Sequence, residues 1–200
     1  MDTDNDKDLE GSKKEKVEED IKESRRWIKN LSFSGGGFKG VCFLGCAKAL
    51  MEYDLLSNVD AISGSSAGAL IATLLACKCD YIYLSKCVYG LINIYSTLGF
   101  NIFKIVRKFR NGTYGIHDTN NLKEYIQNCI NVATKTDKDL TFIELYNITK
   151  IKLIITATCL DDKTSFYFNH ETTPNESIAE ACMISCNIPF MFERKVAFGK

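Results

Sequence analysis

The 200-residue sequence has only two prolines, two histidines and one tryptophan, and its 25 basic side chains balance 25 acidic ones. So few prolines, with 13 glycines in no regular period, exclude collagen-like and proline-rich architectures. A formal net charge of zero lacks the basic excess by which dedicated nucleic-acid binders hold phosphate, so no nucleic-acid partner is expected. Long hydrophobic runs are missing too. The charge-free stretch from Cys87 to Phe103 is interrupted by Asn93, Ser96, Thr97, Gly99 and Asn101, whereas a membrane-spanning helix needs roughly 20 mostly apolar residues. It reads as a core helix followed by a loop. The basic group behind it (Lys104, Arg107, Lys108 and Arg110) leaves a second reading open, an apolar face resting on a membrane surface. No secretory leader opens the sequence, and the nine cysteines follow no framework spacing. They read as reduced thiols of an intracellular protein, cytoplasmic or peripheral at a membrane.

What is present is enough for one core: 46% of the residues are hydrophobic. The first 26 residues are the exception, with 10 acidic and 7 basic side chains and little apolar besides Leu9, Val17 and Ile21. Such a segment cannot offset its ordering entropy. Residues 1–26 are therefore expected to be a charged, disordered tail with at most a fraying helix over 13–26, and 27–200 the folded domain.

Strand-like runs fall at 27–33, 58–63, 151–160 and 165–168, and another starts at 195–198. Helical spacing falls at 41–53, 69–77, 81–98, 120–134 and 176–186. Strands alternating with helices predict an α/β domain with a largely parallel sheet.

Two glycine turns carry the chemistry. Gly64-x-Ser66-x-Gly68 follows one strand and opens one helix. That is the setting in which G-x-S-x-G acts as a nucleophile elbow: the turn lifts the Ser66 hydroxyl clear of the backbone, and the helix N-terminus adds partial positive charge behind it. Gly35-Gly36-Gly37-Phe38-Lys39-Gly40 also joins a strand to a helix. Side-chain-free residues expose consecutive N–H groups that can cradle an anion. Such a loop serves an oxyanion hole or, through Gly35, Gly37 and Gly40, a dinucleotide. The dinucleotide reading needs an acid at the end of the next strand. Asp60 fills that place only if the strand ends there, and the apolar run continues through Ile62. One helix and one strand separate the two turns, so both are expected at the same edge of the sheet, with backbone donors facing a raised serine hydroxyl, as acyl transfer requires.

The other polar groups are less telling. A Ser66–Asp161 or Asp162–His170 triad has a permitted chain order, but His170 follows those aspartates within one hairpin. Asp118, Asp161 and Asp162 suit turns or caps, and His117 lies in a loop-like stretch. Cys42 and Cys46, and Cys182 and Cys186, are paired four apart, and Cys77-x-Cys79 ends a helix. In apolar helices these read as small core residues rather than a Cys₄ metal site.

Leu31 to Gly40 resembles the oxyanion segment of the patatin-like phospholipases, and Ile62 to Leu70 resembles their nucleophile segment. Ile155 to Asp161 is similar to a later core strand of that family. Ala181 to Phe192, with Ile188-Pro189-Phe190, resembles the segment ahead of its catalytic aspartate. The resemblance covers about residues 27–198. It implies a three-layer α/β/α fold with a mostly parallel central sheet. It also implies a lipid acyl hydrolase of phospholipase A type, with Ser66 as nucleophile, Gly35 to Gly40 as oxyanion hole, Gly64 and Gly68 shaping the elbow, a Ser-Asp dyad, and no metal, cofactor or histidine. Its partners would be lipid or phospholipid substrate and, transiently, a membrane surface. One feature departs from the family. The aspartate there stands in an Asp-Gly segment, and no Asp-Gly occurs in these 200 residues. The base is therefore expected beyond Lys200, with the domain incomplete at its C-terminal end. The alternative is a catalytically inert lipid- or partner-binding module on the same scaffold.

Overall fold

The computed structural model describes residues 16–24, 27–97 and 120–187, together with positions 13 and 192; side chains are described only to residue 94 in the helix that ends at Thr97. Residues 16–24 are helical and largely exposed. The basic group at 104–110, His117, Asp118, Ile188-Pro189-Phe190 and the strand expected at 195–198 lie outside the described residues.

The described residues form a four-stranded sheet in the order β1 (Asn30–Phe33), β2 (Ala61–Ser65), β3 (Lys152–Cys159) and β4 (Thr164–Phe168). The first three strands are parallel, and β4 returns antiparallel to β3 as a hairpin. It is a mixed α/β fold with a mostly parallel sheet, as the alternation of elements implies. A short 3₁₀ turn, Gly37–Cys42, and helix α1, Phe43–Glu52, link β1 to β2. Helices α2 (Ala67–Ala76), α3 (Tyr81–Thr97), α4 (Asn120–Thr134) and α5 (Phe142–Thr149) lie between β2 and β3 in sequence, and α6 (Ile178–Ser185) follows β4.

Strand register explains where the core sits. Phe33, Gly64, Ile155 and Phe168 line up across all four strands. Every one is buried, as are Ile62 and Leu153 one step along. The alternate row, Ser32, Ser63 and Ile154, is less buried. The buried face receives α2, whose sequence Ala-Gly-Ala-Leu-Ile-Ala-Thr-Leu-Leu-Ala has no polar face; Gly68 to Ala76 are all buried. A helix apolar on every side belongs in the interior. Its single hydroxyl is satisfied there, since Thr73 Oγ1 lies 3.2 Å from Cys182 Sγ on α6.

Helix α3 buries Leu84, Cys87, Val88 and Leu91, a stripe at helical spacing, and exposes Ile82 and Tyr89 on its other side. It is a core helix. Among the described residues no helix is long and apolar enough to cross a membrane.

Two elements differ from the sequence pattern. Strand β1 starts only at Asn30, because Trp27 is 75% exposed and Ile28 still hydrogen-bonds back to Ser24. Helix α5 stands where no helix was expected. It is started by a capping box: Thr141 Oγ1 accepts from the Glu144 N–H, and a Glu144 carboxylate oxygen accepts from the Thr141 N–H at 3.0 Å.

Candidate active site

Because β1 and β2 run parallel with Phe33 level with Gly64, the chain leaves both strands at the same edge of the sheet. The segment 34–40 therefore lies against the segment 64–68. A Cβ placed on Gly35 would sit 3.7 Å from the Ser66 Cβ, and one on Gly40 would sit 2.7 Å from the Ala67 Cβ. Gly64 and Gly68 are required by contact. A Cβ on Gly64 would come within 2.3 Å of the Gly68 carbonyl oxygen, and one on Gly68 within 2.2 Å of the Phe33 carbonyl oxygen. Strand, turn and helix start are stacked backbone on backbone, which only glycine permits. Gly37 has φ +51°, so the glycine loop passes through the left-handed region at the first residue of the 3₁₀ turn.

Ser66 stands at the apex with φ 52° and ψ −122°. A non-glycine residue in this region costs about 1–3 kcal/mol and is held only by its surroundings. The surroundings here are specific. The Ser66 N–H donates to Ser185 Oγ at 2.8 Å. Ser185 Oγ–H in turn donates to the Thr156 carbonyl at 2.6 Å. Thr156 also donates from its own hydroxyl to the Gly64 carbonyl at 3.3 Å. Each such bond is worth about 0.5–1.5 kcal/mol net, so together they are of the size needed to offset the strain at Ser66. After the apex, α2 begins at Ala67, and its N-terminus carries partial positive charge beside the serine.

The apex opens on a cavity of about 140 Å³. The glycine loop supplies Gly37, Phe38, Gly40 and Val41, the elbow and α2 supply Ser66, Ala67, Leu70 and Ile71, α3 supplies Val88, Leu91 and Ile92, and α6 is followed by Cys186. None of these side chains is charged. Phe38 lines the cavity and is also 58% exposed, so it stands at the opening. Among the described residues of this apolar wall, Ser66 is the one with a side-chain hydroxyl.

The remaining expected residues fall elsewhere. The Lys39 side chain is exposed, and its N–H closes the glycine turn onto the Gly36 carbonyl at 3.0 Å. Asp60 stands before β2, at the opposite end of that strand from the glycine loop, exposed and 3.6 Å from the Lys29 Nζ. No acid therefore waits at the end of β2, and the dinucleotide reading loses its second element. Asp161 and Asp162 occupy the β3–β4 turn, while His170 follows the far end of β4 and stacks on Tyr146 at 3.8 Å. The two ends of one hairpin hold them apart, so the triad of Ser66 with Asp161 or Asp162 and His170 does not assemble. The cysteine pairs also divide. Cys182 and Cys186 are core residues, but Cys42 and Cys46 are exposed, because their face of the 3₁₀ turn and α1 points away from the buried Leu44 and Ala47. The core role expected of that pair does not hold. Among the described residues no group of three or more His, Cys, Asp or Glu side chains could hold a metal ion.

Sequence reasoning missed Thr156 and Ser185, which brace the elbow from β3 and α6, and the three α3 residues that line the cavity. Nothing local marks them, since their partners are fixed by packing.

A family model described as patatin-like phospholipase matches residues 31–199. The chain belongs to the patatin-like phospholipase family. Among curated relatives of this patatin-like chain, Triacylglycerol lipase 4 of Saccharomyces cerevisiae is 33% identical over 187 residues, covering 85% of this chain and 19% of that protein. An uncharacterized protein, R571, of Acanthamoeba polyphaga mimivirus is 29% identical, covering 84% of this chain and 54% of its own length. The chain thus spans from about a fifth to about half of these relatives. Two solved structures share the patatin-like fold: ExoU of Pseudomonas aeruginosa in its complex with SpcU, with TM-score 0.60, 22% identity and coverage of 86% of this chain and 38% of that one, and VipD of Legionella pneumophila, with TM-score 0.58, 21% identity and coverage of 82% and 43%.

Proposed function

We propose that this patatin-like domain hydrolyses acyl esters of lipids, with Ser66 as the nucleophile. The carrying observation is the position of Ser66: a hydroxyl raised on a strained turn, at a helix N-terminus, opening into an uncharged cavity beside a glycine loop. The described wall suits an acyl chain and carries no charged side chain, so the ester carbonyl stops at Ser66 while the headgroup stays at the exposed mouth near Phe38. The fungal relative named a triacylglycerol lipase supports the same lipid class.

In this reading a base takes the Ser66 proton as Oγ bonds to the carbonyl carbon. The carbonyl oxygen becomes an oxyanion, received by N–H groups of the loop Gly35 to Gly40. Collapse expels the alcohol, which takes the proton, and water then releases the fatty acid from the acyl-enzyme. One such backbone donor is worth roughly 10²–10³ in rate. The family resemblance puts the base on an aspartate of an Asp-Gly segment, which these 200 residues do not hold, and none of the described aspartates stands at the elbow. Residues 27–200 are the hydrolase part, and residues 1–26 a separate charged tail. Exposed Phe38 meets the lipid surface during a transient encounter.

The test is ester hydrolysis by the full-length protein with and without Ser66→Ala. The variant should lose turnover of emulsified triacylglycerol and retain its unfolding temperature. Equal turnover by both would overturn the proposal. A wild-type protein that binds lipid without turnover would favour the inert binding module instead.

A further inference from the structure

We infer that Ser185 is a positioning residue for the nucleophile, holding Ser66 in its raised conformation through the peptide N–H rather than touching substrate. This rests on the proposal that Ser66 attacks the ester.

Ser66 follows the last residue of β2 and precedes the first of α2, so its N–H belongs to neither the ladder nor the helix. An N–H placed so has three fates: a substrate oxyanion, water, or a protein acceptor. Here it is taken by Ser185 Oγ at 2.8 Å. The Ser185 hydroxyl accepts there while its own proton is directed away, at the Thr156 carbonyl 2.6 Å distant. Thr156 is the partner of Ser65 in the β2–β3 ladder, and its side chain also reaches the Gly64 carbonyl. The peptide groups on both sides of Ser65 are therefore tied to β3, one directly and one through Ser185.

Two consequences follow. The Ser66 N–H is already engaged, which leaves oxyanion binding to the glycine loop and to the first N–H groups of α2. The end of α6 also sets the direction of the nucleophile, although it is 119 residues distant in sequence. Cys186, the residue after Ser185, lines the cavity, so the same short segment fixes both the hydroxyl and the wall it faces.

The experiment compares Ser185→Ala and Ser185→Thr in the full-length protein. Soluble p-nitrophenyl esters give kcat and KM, and a fluorophosphonate that phosphonylates the nucleophile counts competent sites. Ser66→Ala is the control that separates the two claims: if it keeps wild-type turnover, the nucleophile assignment itself fails. With that control inactive, Ser185→Ala should lose about tenfold to a hundredfold in kcat per titrated site at unchanged KM, the scale set by a small misplacement of a reacting group. Its rate of phosphonylation should fall by the same factor, and Ser185→Thr, which keeps the hydroxyl, should recover most of it. Should Ser185→Ala not fold, Ser185→Thr carries the test, with kcat within about threefold of wild type, against the larger loss a misplaced nucleophile gives. Wild-type kcat per titrated site in Ser185→Ala, a change confined to KM, or folded Ser185→Thr with a tenfold loss would each overturn the inference.

Discussion

The Ser66 N–H donates to Ser185 Oγ across 2.8 Å, although the two residues are 119 positions apart in the chain. Ser66 is held at φ 52° between a strand and a helix, and Ser185 stands at the last turn of the helix packed beside them. The geometry of the elbow is thus a property of β2, β3 and α6 together and not of the five-residue motif alone.

The glycines around that elbow are separable by substitution. A methyl on Gly68 would meet the Phe33 carbonyl oxygen at 2.2 Å, and backbone cannot step aside cheaply. Gly68→Ala should cost about 3 kcal/mol or more, a fall in unfolding temperature of roughly 6–12 °C. A methyl on Gly35 makes only an ordinary contact, 3.7 Å from the Ser66 Cβ. Gly35→Ala should keep its unfolding temperature and, if the ester reacts at Ser66, lose turnover, because the added carbon takes up space beside the Ser66 side chain that the ester must enter. Calorimetry beside an ester assay reads both; equal stability of the two variants would contradict the packing described.

Much of this arrangement is legible in the sequence, and the reasons differ by element. Gly64-Ser65-Ser66-Ala67-Gly68 is readable because a sharp turn between strand and helix demands small residues at fixed places. Helices α3 and α4 are readable from the spacing of Leu84, Cys87, Val88 and Leu91, and of Leu122, Ile126, Cys129 and Ile130. Helix α5 was open to the same reading through Thr141 and Glu144, but at eight residues its period is too short to stand out. Cys42 and Cys46 show the limit of spacing alone: four apart on one face, they lie on the face that meets water. Ser185 and Thr156 carry no local signal at all, since an ordinary serine in a helix and an ordinary threonine in a strand acquire their roles only when the two elements meet.

The cavity predicts acyl-chain length preference. Val88 and Leu91 of α3 line its wall at buried positions. Val88→Trp should fill the space and shift activity from long-chain toward short-chain p-nitrophenyl esters by about tenfold or more, as loss of a few buried methylenes would. An unchanged chain-length profile in a folded variant would place the acyl chain elsewhere.

Helix α5 predicts a pH effect. The Lys138 hydrogen bond, with the Thr141 N–H, holds the Glu144 carboxyl below the usual carboxylate range. The folded state thus favours the charged form. Its contribution is fully present above the ordinary carboxylate pKa and is lost as pH falls through the lower folded value. The group is partly exposed, so its charge is worth only about a few tenths of a kcal/mol. In urea unfolding, wild type should exceed Glu144→Gln at neutral pH, and the gap should close in acid. A gap that widens in acid would reverse the assigned sign.

Thiol reactivity should follow burial. Burial pushes the Cys77 and Cys182 thiols well up, and Cys79 up to about 12, with neighbouring thiols adding to the shift. Thiolate is the reactive form. Iodoacetamide at neutral pH should modify the exposed Cys42 and Cys46 first and reach Cys77 and Cys182 only after unfolding, as read by peptide mass mapping. Early modification of Cys182 would contradict the close packing of α6 on α2.

Whether Ser66 carries the chemistry is read by covalent capture. The full-length protein is incubated with a fluorophosphonate, digested, and the modified peptide sequenced by mass spectrometry. A single stoichiometric adduct on Ser66 is expected, lost in Ser66→Ala together with ester turnover. An adduct on another serine, or turnover that survives in Ser66→Ala, would contradict it.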